Sequence, residues 1–117
     1  MPARPLKLLG FGILPSEILS SLLMQNSDKK QVRIFVSGRV QGVFFRAHSQ
    51  EEAEKLELTG FARNLPDGRV EILLQGAEPK LLSFIEWAKG GAPKAEVDKI
   101  ELRWEAAEKD FERFDIY

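Results

Sequence analysis

Cysteine is absent from this chain and histidine occurs once, at His48. Without cysteine there is no disulfide framework, no thiolate nucleophile and no zinc site of the Cys/His kind. One histidine leaves a nucleophilic triad a single candidate base. His48 follows Arg46 by two residues, which on a helix turns it roughly 200° away, so it reads as a surface helix residue. The carboxylates are scattered, as in Glu51, Glu52, Glu54 and Glu57, a pattern of solvated helix face rather than of metal ligands. The expectation is therefore no metal and no cofactor. Excess charge is lacking too: 17 Lys and Arg stand against 18 Asp and Glu, so no long-range field favours nucleic acid or an anionic membrane. Long hydrophobic runs are also missing. The apolar stretch near the N-terminus is broken by Pro15 and Glu17 and is followed by no small-x-small cleavage site, which argues against a signal peptide or a membrane span. These absences fit a cytoplasmic location.

With 117 residues, 44% of them hydrophobic and 30% charged, the chain can bury the core of one small domain and little more. Val32, Ile34 and Val36 alternate as a strand, and Arg46 to about Leu58 carries Ser49, Ala53 and Leu56 at helical spacing. Phe61 to Leu65 alternates again. Pro66-Asp67-Gly68 is a turn signal leading to Val70, Ile72 and Leu74 on one strand face, so a hairpin is predicted. A second helix is predicted over Pro79 to Lys89, with Leu81, Leu82, Ile85 and Ala88 as its apolar stripe and Gly90-Gly91 ending it. Ile100, Leu102 and Trp104 then alternate with charged residues, and Phe114 with Ile116 closes the chain as a last short strand. The order βαββαβ is that of an α+β, ferredoxin-like split βαβ sandwich, two helices packed on one face of an antiparallel sheet. Trp87, Trp104, Phe84 and Phe114 fall at helix or strand spacing and read as core or sheet-face residues. An RNA-binding sheet would instead carry stacking aromatics beside basic residues.

The stretch Val36 to Arg46, VSGRVQGVFFR, sets two glycines and an arginine between the first strand and the first helix. Gly38 and Gly42 tolerate positive φ, so the backbone between them can curl until successive N–H groups point at one spot. The start of a helix would add further free N–H groups and the positive end of its dipole, and Arg46 a planar, permanently charged fork suited to phosphate or carboxylate. The same residues would equally serve as a tight connection, with Arg46 solvated in the first turn. Neither familiar nucleotide motif fits: Gly42 is followed by Val43 rather than a Lys-Ser/Thr pair, and a third glycine is missing. Phe44 and Phe45 suggest a division of labour in which one anchors the loop and the other rims the site.

A second run, Gly60 to Gly76, reads GFARNLPDGRVEILLQG. With the first run, as Gly38 to Arg46 followed by Gly60 to Asn64, Gly68-Arg69-Val70 and Gly76, it makes the chain resemble the acylphosphatase family over residues 31–117. The resemblance implies hydrolysis of the carboxyl-phosphate bond of small-molecule acyl phosphates by a stand-alone, monomeric enzyme. It implies that Arg46 binds the phosphoryl group, that Asn64 orients the attacking water, and that the loop of Arg39, Val40, Gln41, Gly42, Val43, Phe44 and Phe45 cradles the phosphate through its amides. Leu65-Pro66-Asp67 replaces the more polar sequences that follow the asparagine in some relatives. The chemistry is coherent by itself, because a carboxylate leaves readily and a loose phosphoryl-transfer transition state needs chiefly positioning and charge stabilisation. Two other readings compete with it: a carbamoyl-phosphate-handling domain of the kind found in larger carbamoyl-transfer enzymes, and a non-catalytic anion-binding or interaction module.

Residues 1–30 stand apart as an N-terminal extension. An amphipathic helix starting near Ser16 would gather Ile18, Leu19, Leu22 and Leu23 on one side. A start at Met24 would leave residues 24–117, beginning just before the first strand, and the expectation is that the tail is dispensable.

Overall fold

The computed structural model describes residues 29–117. The predicted amphipathic helix of the N-terminal extension lies outside the described residues, whereas Lys29 and Lys30, assigned above to that extension, already belong to the first strand. The elements are β1 (Lys29–Arg39), α1 (Phe45–Lys55), β2 (Thr59–Asn64), β3 (Val70–Ala77), α2 (Glu78–Gly90), β4 (Glu96–Glu105) and β5 (Phe114–Ile116). They form one five-stranded sheet in the order β4-β1-β3-β2-β5.

The alternation of β1 decides the layering. Val32, Ile34 and Val36 stand opposite Leu74, Ile72 and Val70 of β3, and all six are fully buried. Both helices cover this face. α2 contributes Leu81, Phe84, Ile85 and Ala88, an i, i+3, i+4, i+7 stripe. The predicted stripe contained Leu82, but that residue lies about 100° round the helix from Leu81 and is exposed; Phe84 takes its place. Trp87 packs beside the stripe, its ring 5.2 Å from Phe84 and 5.8 Å from Phe45.

Three differences from the expected fold have local causes. α1 ends at Lys55 rather than near Leu58, because Glu57 adopts a left-handed backbone (φ 61°). The Leu58 N–H then bonds to the Ala53 carbonyl at 2.8 Å and the Glu57 N–H to the Glu54 carbonyl at 3.1 Å, a Schellman ending built without glycine. Buried Leu58 prolongs the apolar pattern beyond the helix. Trp104 and Leu102 share the helix-side face with Val32 and Ile34, yet both are nearly half exposed, since β4 is an edge strand and neither side chain is closed over. The sheet expected to be antiparallel has a parallel border: β5 runs beside β2 with Gly60 opposite Phe114 and Ala62 opposite Ile116. Gly60 admits no side chain, because a Cβ there would stand 1.8 Å from the Leu73 carbonyl oxygen.

The other sheet face mixes charged side chains with the rings of Phe35 and Phe61, over which Arg69, Arg103 and Arg63 lie. Glu71 is buried between Arg33 and Arg63, with Arg63 Nε 2.6 Å from it, and Arg33 also donates from Nε to Glu105 at 2.8 Å. Buried charge of this kind is tolerated because it is paired.

Candidate active site

β1 ends at Arg39, and Val40, almost fully buried, pins the chain where it leaves the sheet. The next four residues make a tight turn into α1. Gly42 has φ 77° with open space where a side chain would stand, so its need for glycine is conformational. Phe44 takes φ 61° despite its bulk, a left-handed conformation uncommon for a non-glycine residue and stored most often at functional sites. Among the described residues, no backbone N–H from Gln41 through Phe45 donates a hydrogen bond to a turn or loop carbonyl. α1 begins with no side-chain cap and no acidic residue in its first turn, so the positive end of its dipole is not offset there.

Phe45 is buried against Trp87 and the core and holds the start of α1 on the sheet. Phe44, three-quarters exposed, projects outward. The two phenylalanines thus divide as anchor and rim. The next residue, Arg46, reaches across to β5, where its Nη1 donates to the main-chain oxygen of Tyr117.

Asn64 arrives from the sheet. Strand alternation puts it on the same face as Gly60 and Ala62, the face that α1 covers. β2 ends there, so its side chain emerges at the sheet border beside the first turn of α1. The following turn is closed by Leu65 N–H to the Arg69 carbonyl at 2.8 Å and Gly68 N–H to the Leu65 carbonyl at 3.1 Å. Asp67 in this turn accepts the Arg69 backbone N–H, which together with the Arg69 guanidinium holds its carboxyl below the usual carboxylate range. The Gln41 side chain joins the two loops: its Nε2 donates to the Leu65 carbonyl at 2.8 Å and to the Arg69 carbonyl at 2.9 Å.

Arg46 and Asn64 line one cleft of about 340 Å³ with Val40, Gly42, Phe44, Phe45, Ala47 and Ile116. Of the loop residues singled out in the sequence, Arg39, Gln41 and Val43 do not line it. Arg39 sits at the end of β1 opposite Glu96, Gln41 turns to the hairpin, and Val43 packs against the core. Ile116 and Ala47 were not anticipated. No motif marks Ile116, which enters through the parallel pairing of β5. His48 faces elsewhere, its Nδ1 3.2 Å from Glu51. A larger cavity, about 490 Å³, opens on the opposite sheet face and includes Arg33; that cation is already engaged by Glu71 and Glu105. Among the described residues no three His, Cys, Asp or Glu side chains converge as a metal-ligand set, and no helix is long and apolar enough to cross a membrane.

The architecture and the sequence have close counterparts. The acylphosphatase of Syntrophobacter fumaroxidans is 44% identical over 89 residues, which cover 76% of this chain and 92% of the relative. The crystal structure of acylphosphatase from Bacillus subtilis matches with a TM-score of 0.73 at 45% identity, over 75% of this chain and 98% of that one. An acylphosphatase structure from Coxiella burnetii matches with a TM-score of 0.74 at 33% identity, over 77% and 94% of the two chains. The family model for acylphosphatase matches residues 32–116, from the second turn of the pleat in β1 to the end of β5. On this agreement of sequence and fold, the chain belongs to the acylphosphatase family.

Proposed function

We propose that this protein is an acylphosphatase, hydrolysing acyl phosphates to a carboxylate and inorganic phosphate, and that the cleft between α1 and the end of β2 is its active site. The observation that carries the reading is the convergence of Arg46 and Asn64 with Gly42, Phe44 and Phe45 of the turn on one cleft, where, among the described residues, no N–H from Gln41 through Phe45 donates to a turn or loop carbonyl. The amides of the Arg39–Phe45 loop and the N-terminus of α1 hold the phosphoryl oxygens. Arg46 adds a forked, charged donor. Together they stabilise the charge spread over the equatorial oxygens as the bond to the leaving group loosens.

Asn64 orients a water in line with the departing carboxylate. The bond from the water oxygen to phosphorus forms, the bond from phosphorus to the acyl oxygen breaks, and the carboxylate leaves with its electron pair. Asn64 cannot accept a proton at neutral pH, so the proton of the attacking water passes to a phosphate oxygen of the substrate. The good leaving group removes the need for a general acid, and Arg46 with the amides supplies the charge stabilisation that a metal ion gives in other phosphoryl transfers. The reaction is therefore read as metal-independent, and the protein as a cytoplasmic monomer that engages neither membrane nor nucleic acid. The folded unit 29–117 carries the activity, and a chain starting at Met24 keeps it.

Hydrolysis of acetyl phosphate by the purified full chain, with a chelator present, tests the reading. Turnover that survives the chelator supports it. Binding of inorganic phosphate without turnover turns the site into an anion-binding module, and activity that disappears with the chelator removes the metal-independent mechanism.

A further inference from the structure

Apart from Arg46 and Asn64, the described side chains that line the cleft are apolar. Phe44 stands three-quarters exposed on the rim, Ile116 is partly exposed on the β5 side, and Ala47 lies in the first turn of α1 between them in the lining. Arg46 is the only charged side chain among the described lining residues, and in the reading above it holds the phosphoryl group. An exposed aromatic ring held at a strained backbone position is costly to keep unless it contacts something. Here it stands exposed in the lining of the cleft that the first turn of α1 also borders.

We infer that Phe44 and Ile116 form an apolar wall for the acyl group, so that this protein selects acyl phosphates with an uncharged, apolar or aromatic acyl part over those carrying a second anionic group. The inference rests on the hydrolase reading above. A ring or an alkyl chain of the substrate gains contact with Phe44 and Ile116 and leaves water, which favours it over a bare acetyl group. A second carboxylate in the same position meets apolar surface and no free cation among the lining residues, and must be partly desolvated without a partner.

The test compares kcat/KM for benzoyl and acetyl phosphate, and for butyryl and succinyl phosphate, in the parent, Phe44→Gly and Ile116→Ala. Glycine at position 44 removes the ring while keeping the left-handed backbone accessible, and inhibition by inorganic phosphate reports whether the cradle is intact. The parent is expected to prefer benzoyl over acetyl and butyryl over succinyl. In both variants the benzoyl-to-acetyl ratio is expected to fall by about 10-fold, and Ile116→Ala, which lies outside the cradle loop, retains phosphate inhibition. A parent inactive on all four substrates overturns the hydrolase reading and this inference with it. A parent active on them with no preference, or variants that lose benzoyl and acetyl turnover in equal proportion, overturns the apolar wall alone.

Discussion

The guanidinium of Arg46 donates from Nη1 to the main-chain oxygen of Tyr117, joining two residues 71 positions apart in the chain. The bond ties the first turn of α1 to the strand at the sheet border. Around it, Gln50 Nε2 donates to the Phe114 carbonyl at 2.9 Å and the Tyr117 N–H to the Ala62 carbonyl at 3.0 Å. β5 therefore acts as a brace for the side chain proposed to hold the phosphoryl group.

Replacing Arg46 separates its charge from its geometry. Arg46→Ala is expected to lower kcat/KM for acetyl phosphate by at least about 100-fold, the scale of losing one donor to transition-state charge. Arg46→Lys keeps the charge but loses the planar fork, one arm of which is held by Tyr117. It should recover only part of the loss. Full activity in the lysine variant would reduce the role of Arg46 to a point charge.

Asn64→Ala is expected to act on turnover rather than on binding. If Asn64 orients the water and the cradle holds the phosphate, kcat falls by about 100-fold or more while KM and phosphate inhibition stay near the parent values. A large rise in KM at unchanged kcat would instead make Asn64 a substrate ligand.

Much of this was legible in the sequence, and the failures are instructive. The period-two pattern of Val32, Ile34 and Val36 located β1, an interior strand of the sheet, because a strand covered on one face must alternate. Gly42 and Asn64 were identified by their runs, and strand and helix geometry brings them to the same cleft. The sequence could not show that Leu102 and Trp104 stay half exposed, since alternation reports which face a residue is on and not whether a helix reaches over it. The Schellman ending at Glu57 was hidden because the usual glycine signal is absent. Ile116 and the bonds of Gln41 and Arg46 depend on pairings between distant segments, which local patterns do not encode.

The pairing of Glu105 with Arg33 predicts a specific acid sensitivity. The Arg33 guanidinium holds the Glu105 carboxyl below its ordinary range, which in an unfolded chain is about 4.3. A depressed carboxylate contributes stability that is fully present above the unfolded value and is lost as pH falls through the folded one. The same contact raises Arg33, but that linkage is lost only at strongly alkaline pH. Glu105→Gln is therefore expected to cost about 0.5–1 kcal/mol at pH 7, the range of a partly solvated pair, with the difference from the parent shrinking below pH 4.3. Urea unfolding of both proteins at pH 7 and in the acid range measures it, and a difference independent of pH would remove the ion pair as its cause.

Gln41 offers a way to disturb the site without touching a residue that lines it. Its Nε2 bonds to the Leu65 and Arg69 carbonyls hold the cradle loop against the turn that follows Asn64, so the spacing between the two halves of the cleft depends on one amide. Both carbonyls also accept a backbone N–H within the turn, and removing the amide leaves neither without a partner. Gln41→Leu is accordingly expected to cost only about 1 kcal/mol in stability, while kcat falls by about 10-fold or more as Asn64 and its water drift relative to the phosphate. Denaturant unfolding and steady-state kinetics on the same preparation separate the two effects. Loss of stability with kcat unchanged would mean that the turn keeps Asn64 in place by itself and that Gln41 serves only to hold the loop down.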